Sequence, residues 1–125
     1  MESGRTSGFT VLVTEYEGVP VVSVSGEIDL YAVPRFRSAM RDACAGVSPR
    51  SPVLLVDLSD VDFMDSSGLG VLIGYHRELC DSGSGLRIVA GEAAMKILRI
   101  THLDDVLGVY DSREAALSGR TDGLS

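Results

Sequence analysis

Hydrophobic and polar residues follow two periods along the chain, which predict alternating strands and helices. Residues 21–28 alternate valine with serine, the period of two that is typical of a half-buried strand. Apolar residues recur every three or four positions over 32–46, as in an amphipathic helix. Val53–Leu58 is an apolar run that favours a strand buried on both faces. The predicted strands are 9–16, 21–28, 53–58, 86–90 and 106–110, and the predicted helices are 32–46, 66–82, 93–101 and 112–117.

The order of these elements predicts an α/β fold. A turn signal at Glu17-Gly18 joins the first two strands into a hairpin. Strands and helices alternate thereafter, which requires crossover connections onto one mixed sheet. We expect a single domain over 9–118, with flexible ends at 1–8 and 119–125.

Composition and charge limit the class of partner. The 125 residues are 45% hydrophobic and 23% charged, as in an ordinary globular domain that needs no metal or disulfide to fold. The formal net charge is −7, and no basic run offsets it. An acidic surface repels phosphate backbones and anionic lipids, so we expect neither nucleic acid nor a membrane as a partner.

Two further features favour a cytoplasmic protein. The N-terminal residues 1–5 contain no apolar core of a signal peptide, and the aliphatic run Val53–Val56 is too short to cross a bilayer. Cys44 and Cys80 have neither C-x-x-C nor metal-ligand spacing, so we interpret them as small buried residues in a reducing compartment.

Nucleotide, cofactor and metal signatures are missing or incomplete. The chain has no Walker loop, and the glycines of residues 68–74 do not have the dinucleotide spacing, because the third comes one residue late. His76 and Cys80 form an i, i+4 pair without a third ligand nearby in sequence. We therefore expect no cofactor and no metal.

A serine hydrolase is the sharpest enzymatic alternative, because Ser66 and Ser67 stand at a strand-to-helix junction. Neither serine has the flanking glycines of the nucleophile elbow. The only candidate bases are His76, placed by its spacing on the apolar stripe of the helix, and His102, at a helix end that favours positive φ. We expect a protein that is not an enzyme, with no catalytic residue, and keep the hydrolase as a remote alternative.

The junction itself admits two interpretations. Asp65 or Ser66 can be a helix cap that accepts from the first-turn N–H groups. Helical spacing places the inward stripe at Leu69, Leu72, Ile73, His76, Leu79 and Cys80, and the outward face at Ser67, Gly70, Val71 and Gly74. Two exposed glycines cost a helix about 1 kcal/mol each relative to alanine. A face so poor in side chains suggests a docking surface for another protein.

Four segments resemble the STAS family of anti-sigma factor antagonists. Asp65–Leu72 (DSSGLGVL) is similar to the phosphorylation-site motif of that family, and Gly26–Asp29 (GEID) to its first motif. Leu98–Leu103 and Tyr110–Leu117 are similar to its C-terminal pattern. The departures are Ala32, where relatives often have threonine, and His102, where they usually have glycine.

The resemblance implies a mixed sheet of about five strands with about four helices mainly on one side. It also implies a partner-switching cycle: the unmodified protein binds an anti-sigma factor that is a serine kinase and frees a sigma factor. Phosphorylation of Ser67 causes release, and a serine phosphatase resets the protein. The expected partner-binding residues are Gly26, Glu27, Asp29, Asp65, Ser66, Gly68, Gly70, Val71 and Gly74.

The expected switch is electrostatic. A phosphate on Ser67 would meet free N–H groups at the helix N-terminus and leave the fold intact. Its charge would join Asp62 and Asp65 and repel a partner fitted to a neutral hydroxyl. A constitutive STAS scaffold without phosphorylation is the alternative, and the oligomeric state is open between a monomer and a weak dimer.

Overall fold

A computed structural model describes the backbone of residues 8–122 and the side chains of residues 8–118. The strands form one sheet in the order β1-β2-β3-β4-β5, in which β1 and β2 are antiparallel and all other neighbours are parallel. The elements are β1 Phe9–Tyr16, β2 Val19–Ile28, α1 Val33–Cys44, β3 Val53–Met64, α2 Ser66–Asp81, β4 Gly85–Ala90, α3 Glu92–Ile100, a 3₁₀ turn Leu103–Asp105, β5 Gly108–Tyr110 and α4 Arg113–Asp122.

The main core lies between the sheet and helices α1, α2 and α3. Phe36 and Met40 of α1, Leu72 of α2 and Leu98 of α3 are fully buried there with alternate residues of the strands. The mixed sheet with helices mainly on one side is therefore confirmed. The predicted two-sided burial of Val53–Leu58 is also confirmed, since successive residues enter opposite cores.

Helix α4 covers part of the opposite face of the sheet. Ala116 packs there against a small cluster that includes Leu55 and Val89. An ion pair fixes the start of the helix, because Nε of Arg113 donates to Oδ2 of Asp57 at 2.8 Å. Burial would raise the pKa of Asp57, but hydrogen bonds from Ser59 and Arg113 outweigh it and hold that pKa below its usual range.

The predicted elements are all present, and the hairpin turn has the predicted position. Glu17 and Gly18 both have positive φ, as a two-residue turn between antiparallel strands requires. The largest difference is in β3, which continues to Met64 instead of ending at Leu58. The added residues pair with the end of β2 across two register shifts, which hide the period of two in the sequence.

Smaller differences concern the chain ends and the cysteines. Helix α4 extends to Asp122 instead of ending at residue 117, while residues 1–7 and 123–125 of the predicted flexible ends lie outside the described residues. Both cysteines are free; Cys44 is half-buried, but Cys80 is exposed, so the prediction that both are buried was wrong. Within residues 8–122, no helix combines the length and apolar character needed to cross a membrane.

Candidate functional site

The GEID and DSSG segments meet at the carboxyl ends of two neighbouring strands. Ile28, the last residue of β2, pairs with Met64, the last residue of β3. The backbone N–H of Asp65 then donates to the carbonyl of Ile28 at 3.1 Å. The junction that begins α2 therefore lies beside the loop from β2 to α1, and the two motifs form one site.

Asp65 caps helix α2 and also orients Ser67. Oδ1 of Asp65 accepts from the backbone N–H groups of Ser67 at 3.0 Å and Gly68 at 3.3 Å. The hydroxyl of Ser67 donates to the same oxygen. Of the two proposed caps, Asp65 is the one the structure shows, while Ser66 is exposed and its hydroxyl has no partner among the described residues.

The carboxylate of Asp65 is stabilised in its charged form. The hydroxyl of Ser67 is the largest influence that lowers the pKa of Asp65, and the backbone N–H groups of Gly68, Ser67 and Leu30 add to it. The expectation that a phosphate would meet free N–H groups here was wrong for Ser67 and Gly68, because Asp65 already occupies both. A phosphate on Ser67 would have to compete with this carboxylate.

Gly68 allows the start of α2 to pack closely on the strand ends. A Cβ at this position would lie 2.7 Å from Cγ2 of Ile28 and 3.0 Å from Cγ of Met64. Gly68 is buried, so its place in the predicted partner-binding set is corrected to a packing role that positions Ser67.

The solvent face of α2 differs from the predicted one at Val71, which is 1% exposed. The prediction that Val71 lies on a docking face was therefore wrong. Gly70 and Gly74 are exposed as predicted, and a Cβ on either would meet nothing within 4 Å. The buried stripe of α2 is displaced by about one residue toward the N-terminus relative to the predicted stripe, and it includes Gly68. Its buried members are Gly68, Leu69, Val71, Leu72 and Leu79.

Gly26 and Glu27 border the site from the end of β2. Gly26 has φ +91°, and a Cβ there would lie 1.7 Å from the carbonyl oxygen of Gly8. Only glycine fits this approach, which lets the N–H of Glu27 donate to that oxygen at 2.6 Å. The side chain of Glu27 is exposed at the rim of the site.

Asp29 holds a turn that presents two apolar side chains to solvent. Its Oδ1 accepts from the backbone N–H groups of Tyr31 at 3.0 Å and Ala32 at 3.1 Å. Ala32 gives α1 no side-chain cap, and Asp29 accepts from the two N–H groups that precede the helix, not from those of its first turn. Leu30 and Tyr31 are 65% and 88% exposed. The sequence analysis missed both, although two large apolar residues outside any period are a recognisable signal.

The histidines and cysteines do not join this site. His76 is half-buried and lies 3.9 Å from Sγ of Cys80, whereas the Ser67 hydroxyl is bonded to Asp65. His102 has φ +61°, which confirms the predicted backbone conformation. No cluster of three or more residues suited to a metal occurs within the described part of the chain.

Comparison with known proteins places these features in a family context. The family model described as "STAS domain" matches residues 10–116. The crystal structure of an anti-sigma factor antagonist from Mycobacterium paratuberculosis is 36% identical, with a TM-score of 0.78 over 89% of this chain and 92% of that chain. An anti-sigma-B factor antagonist of Listeria monocytogenes is 32% identical over 70% of this chain and 75% of its own. The corresponding antagonist of Bacillus subtilis is 29% identical over 77% and 85%.

Proposed function

The chain belongs to the STAS domain family, and we propose that it is an anti-sigma factor antagonist whose binding is switched by phosphorylation of Ser67. The observation that carries the proposal is the Asp65–Ser67 pair, held at one end of the sheet beside the exposed Leu30–Tyr31 turn. Relatives at 29% to 36% identity are named anti-sigma factor antagonists, which supports the regulatory role over an enzymatic one.

The unmodified protein would bind its partner through a surface on which the Ser67 hydroxyl carries no charge. Leu30 and Tyr31 offer exposed apolar area next to Ser67, and aromatic side chains of this kind are common binding anchors. Gly70 and Gly74 leave the adjacent helix face without side chains, so a partner can approach the backbone closely. The partner is proposed to be an anti-sigma factor that is itself a serine kinase.

Ser67 is positioned to receive a phosphoryl group. Because its hydroxyl proton points to Asp65, the oxygen lone pairs are free to face an incoming kinase. The serine oxygen forms a bond to the γ-phosphorus of ATP held by the kinase, the bond to ADP breaks, and a base of the kinase accepts the serine proton. Asp65 acts here as a positioning residue, and the catalytic groups belong to the kinase.

Release would follow from charge. The phosphate adds about −1.5 to −2 charges directly beside the Asp65 carboxylate, which already occupies the N–H groups of Ser67 and Gly68. Either the phosphate displaces Asp65 from the helix end or the two anions are held together. In both cases a surface that fits a neutral hydroxyl meets a strong negative field. A serine phosphatase would restore the binding state.

The proposal is tested by substitution at Ser67 with Ser66 as the matched control. A kinase-type anti-sigma factor from the source organism is titrated with the parent protein and with three variants. Ser67→Ala should bind with parental affinity but resist release by ATP. Ser67→Asp should lose about tenfold or more in affinity. Ser66→Ala should bind and be released like the parent.

Two outcomes would contradict the proposal. Parental affinity of Ser67→Asp together with ATP-dependent release of Ser67→Ala would show that Ser67 is not the switch. Binding of all variants with no effect of ATP would instead identify a constitutive scaffold.

A further inference from the structure

We propose that β1 pairs with β1 of a second copy of this chain, antiparallel and with the two-fold axis at Leu12, to form a continuous ten-stranded sheet. β1 is at the edge of the sheet and, among the described residues, pairs only with β2. Its outer edge therefore offers backbone donors and acceptors to another strand.

Apart from the charge of Glu15, the edge lacks the features that normally prevent such pairing. β1 runs over eight residues with an unbroken register against β2, and it contains neither proline nor lysine. Leu12 and Val13 are 66% and 43% exposed, on opposite faces of the strand because neighbours alternate. A second strand at this edge would cover both side chains at once.

The sequence of the strand selects the register. Residues 10–14 read Thr-Val-Leu-Val-Thr, which is the same in both directions. In an antiparallel pair centred on Leu12, every residue of this segment lies opposite an identical residue: leucine opposite leucine, valine opposite valine and threonine opposite threonine. Pairs of β-branched residues and of threonines are favourable directly opposite each other, and a two-fold axis generates an isologous contact.

Charge complementarity supports the same register. Glu15 of the second copy would lie opposite Phe9, and the guanidinium of Arg35 lies 5.0 Å from the centre of the Phe9 ring. The carboxylate would thus approach a cation twice in the symmetric dimer. A register shifted by two residues could instead place Glu15 opposite Val11, away from that cation, and Leu12 opposite Thr14.

The association is measured by sedimentation equilibrium of the full chain at high ionic strength, because two chains of net charge −7 repel each other. The parent should approach twice the mass of one chain as its concentration rises. Leu12→Lys should remain a folded monomer, since it places two like charges opposite each other at the axis. Ile100→Lys is the matched control, because Ile100 is 69% exposed on α3, away from β1, and should associate like the parent.

The register is measured by disulfide formation in a chain whose Cys44 and Cys80 are replaced by alanine. A mixture of Thr10→Cys and Thr14→Cys chains should give the mixed cross-linked dimer, because these positions face each other. Thr10→Cys alone should not cross-link, since its two copies lie four residues apart along the strand, about 13 Å.

The proposal is overturned by a parent that stays monomeric up to millimolar concentration. It is equally overturned if Leu12→Lys, shown to be folded by circular dichroism, associates like the parent. Cross-linking of Thr10→Cys with itself as readily as with Thr14→Cys would contradict the register and the two-fold axis at Leu12.

Discussion

At the scale of single residues, Asp65 connects the helix, the serine and the neighbouring loop. One carboxylate accepts from the backbone of Ser67 and Gly68 and from the Ser67 hydroxyl. The backbone N–H of Leu30, in the neighbouring turn, also lowers its pKa. The cap interpretation of this residue is therefore confirmed, and its part in partner binding stays a prediction.

Removing this carboxylate should destabilise the protein by a modest amount. Asp65→Ala should lower the free energy of unfolding by about 0.5–2 kcal/mol, the usual cost of losing an N-cap. Asp65→Asn keeps a cap acceptor and should cost less. Urea unfolding followed by circular dichroism measures both, and equal stability of Asp65→Ala and the parent would mean that the cap contributes nothing.

The Asp65→Asn substitution should also distinguish the role of Asp65 as a helix cap from its electrostatic effect on a phosphate at Ser67. Asp65→Asn removes the negative charge that faces a phosphate on Ser67, so phosphorylation should disturb this variant less than the parent. The measured quantity is the difference in unfolding free energy between phosphorylated and unmodified protein, for parent and variant. An equal difference in both would show that the Asp65 charge does not oppose the phosphate.

At the scale of elements, helix α2 contains glycines of two kinds. Gly68 is required because its Cβ would strike Ile28, whereas Gly70 and Gly74 face open space. The fold therefore gives no reason for the exposed pair, whereas the proposed close approach of a partner would. Sequence periodicity predicted that exposed pair correctly, but it assigned Val71 to the wrong side. Gly68, three residues before Val71 on the same buried side, has no apolar side chain that would indicate burial.

Alanine substitutions distinguish the two kinds of glycine. Gly70→Ala and Gly74→Ala should each raise the free energy of unfolding by about 0.5–1 kcal/mol and weaken partner binding. Gly68→Ala is the contrasting variant and should cost about 1–3 kcal/mol through overpacking. Stabilised Gly70→Ala and Gly74→Ala proteins that bind the partner like the parent would argue against a docking role for this face.

Helix α4 provides a pH-dependent contribution to stability. The folded pKa of Asp57 is lowered, so its stabilising effect is fully present above the pKa of an unfolded aspartate, about 3.9. It is lost as the pH falls through the lower folded pKa. Arg113→Gln should cost about 1.5–3 kcal/mol at neutral pH and less in acid. Unfolding of parent and variant from pH 7 to pH 2 tests this, and a loss that is independent of pH would contradict it.

At the scale of the whole molecule, the sequence was sufficient for the element order and insufficient for some details of the site. Strong hydrophobic periods and the turn at Glu17-Gly18 predict the strands, helices and hairpin, because the spacing of apolar residues reflects which side chains each type of element buries. The extension of β3 to Met64 was missed, since its pairing partner is distant in sequence and its register is interrupted. Leu30 and Tyr31 were missed because the assignment followed the two periods, and both residues fall outside them.

Phosphorylation should change the surface and not the fold. Ser67 lies in the first turn of α2, outside the buried core of Phe36, Leu54 and Leu72. The phosphorylated protein should therefore keep its helical circular dichroism and a cooperative thermal transition. A large loss of helical signal on phosphorylation would show that release results from unfolding.

The central claim is that Ser67 is the phosphorylated switch residue, and locating the phosphate tests it most directly. The protein is isolated from its native cells with phosphatases inhibited, and its intact mass and peptide masses are measured. The account predicts a fraction of chains that carry one phosphate, placed on Ser67 and absent from the neighbouring Ser66. Chains that are unmodified under every growth condition, or a phosphate on another residue, would contradict it.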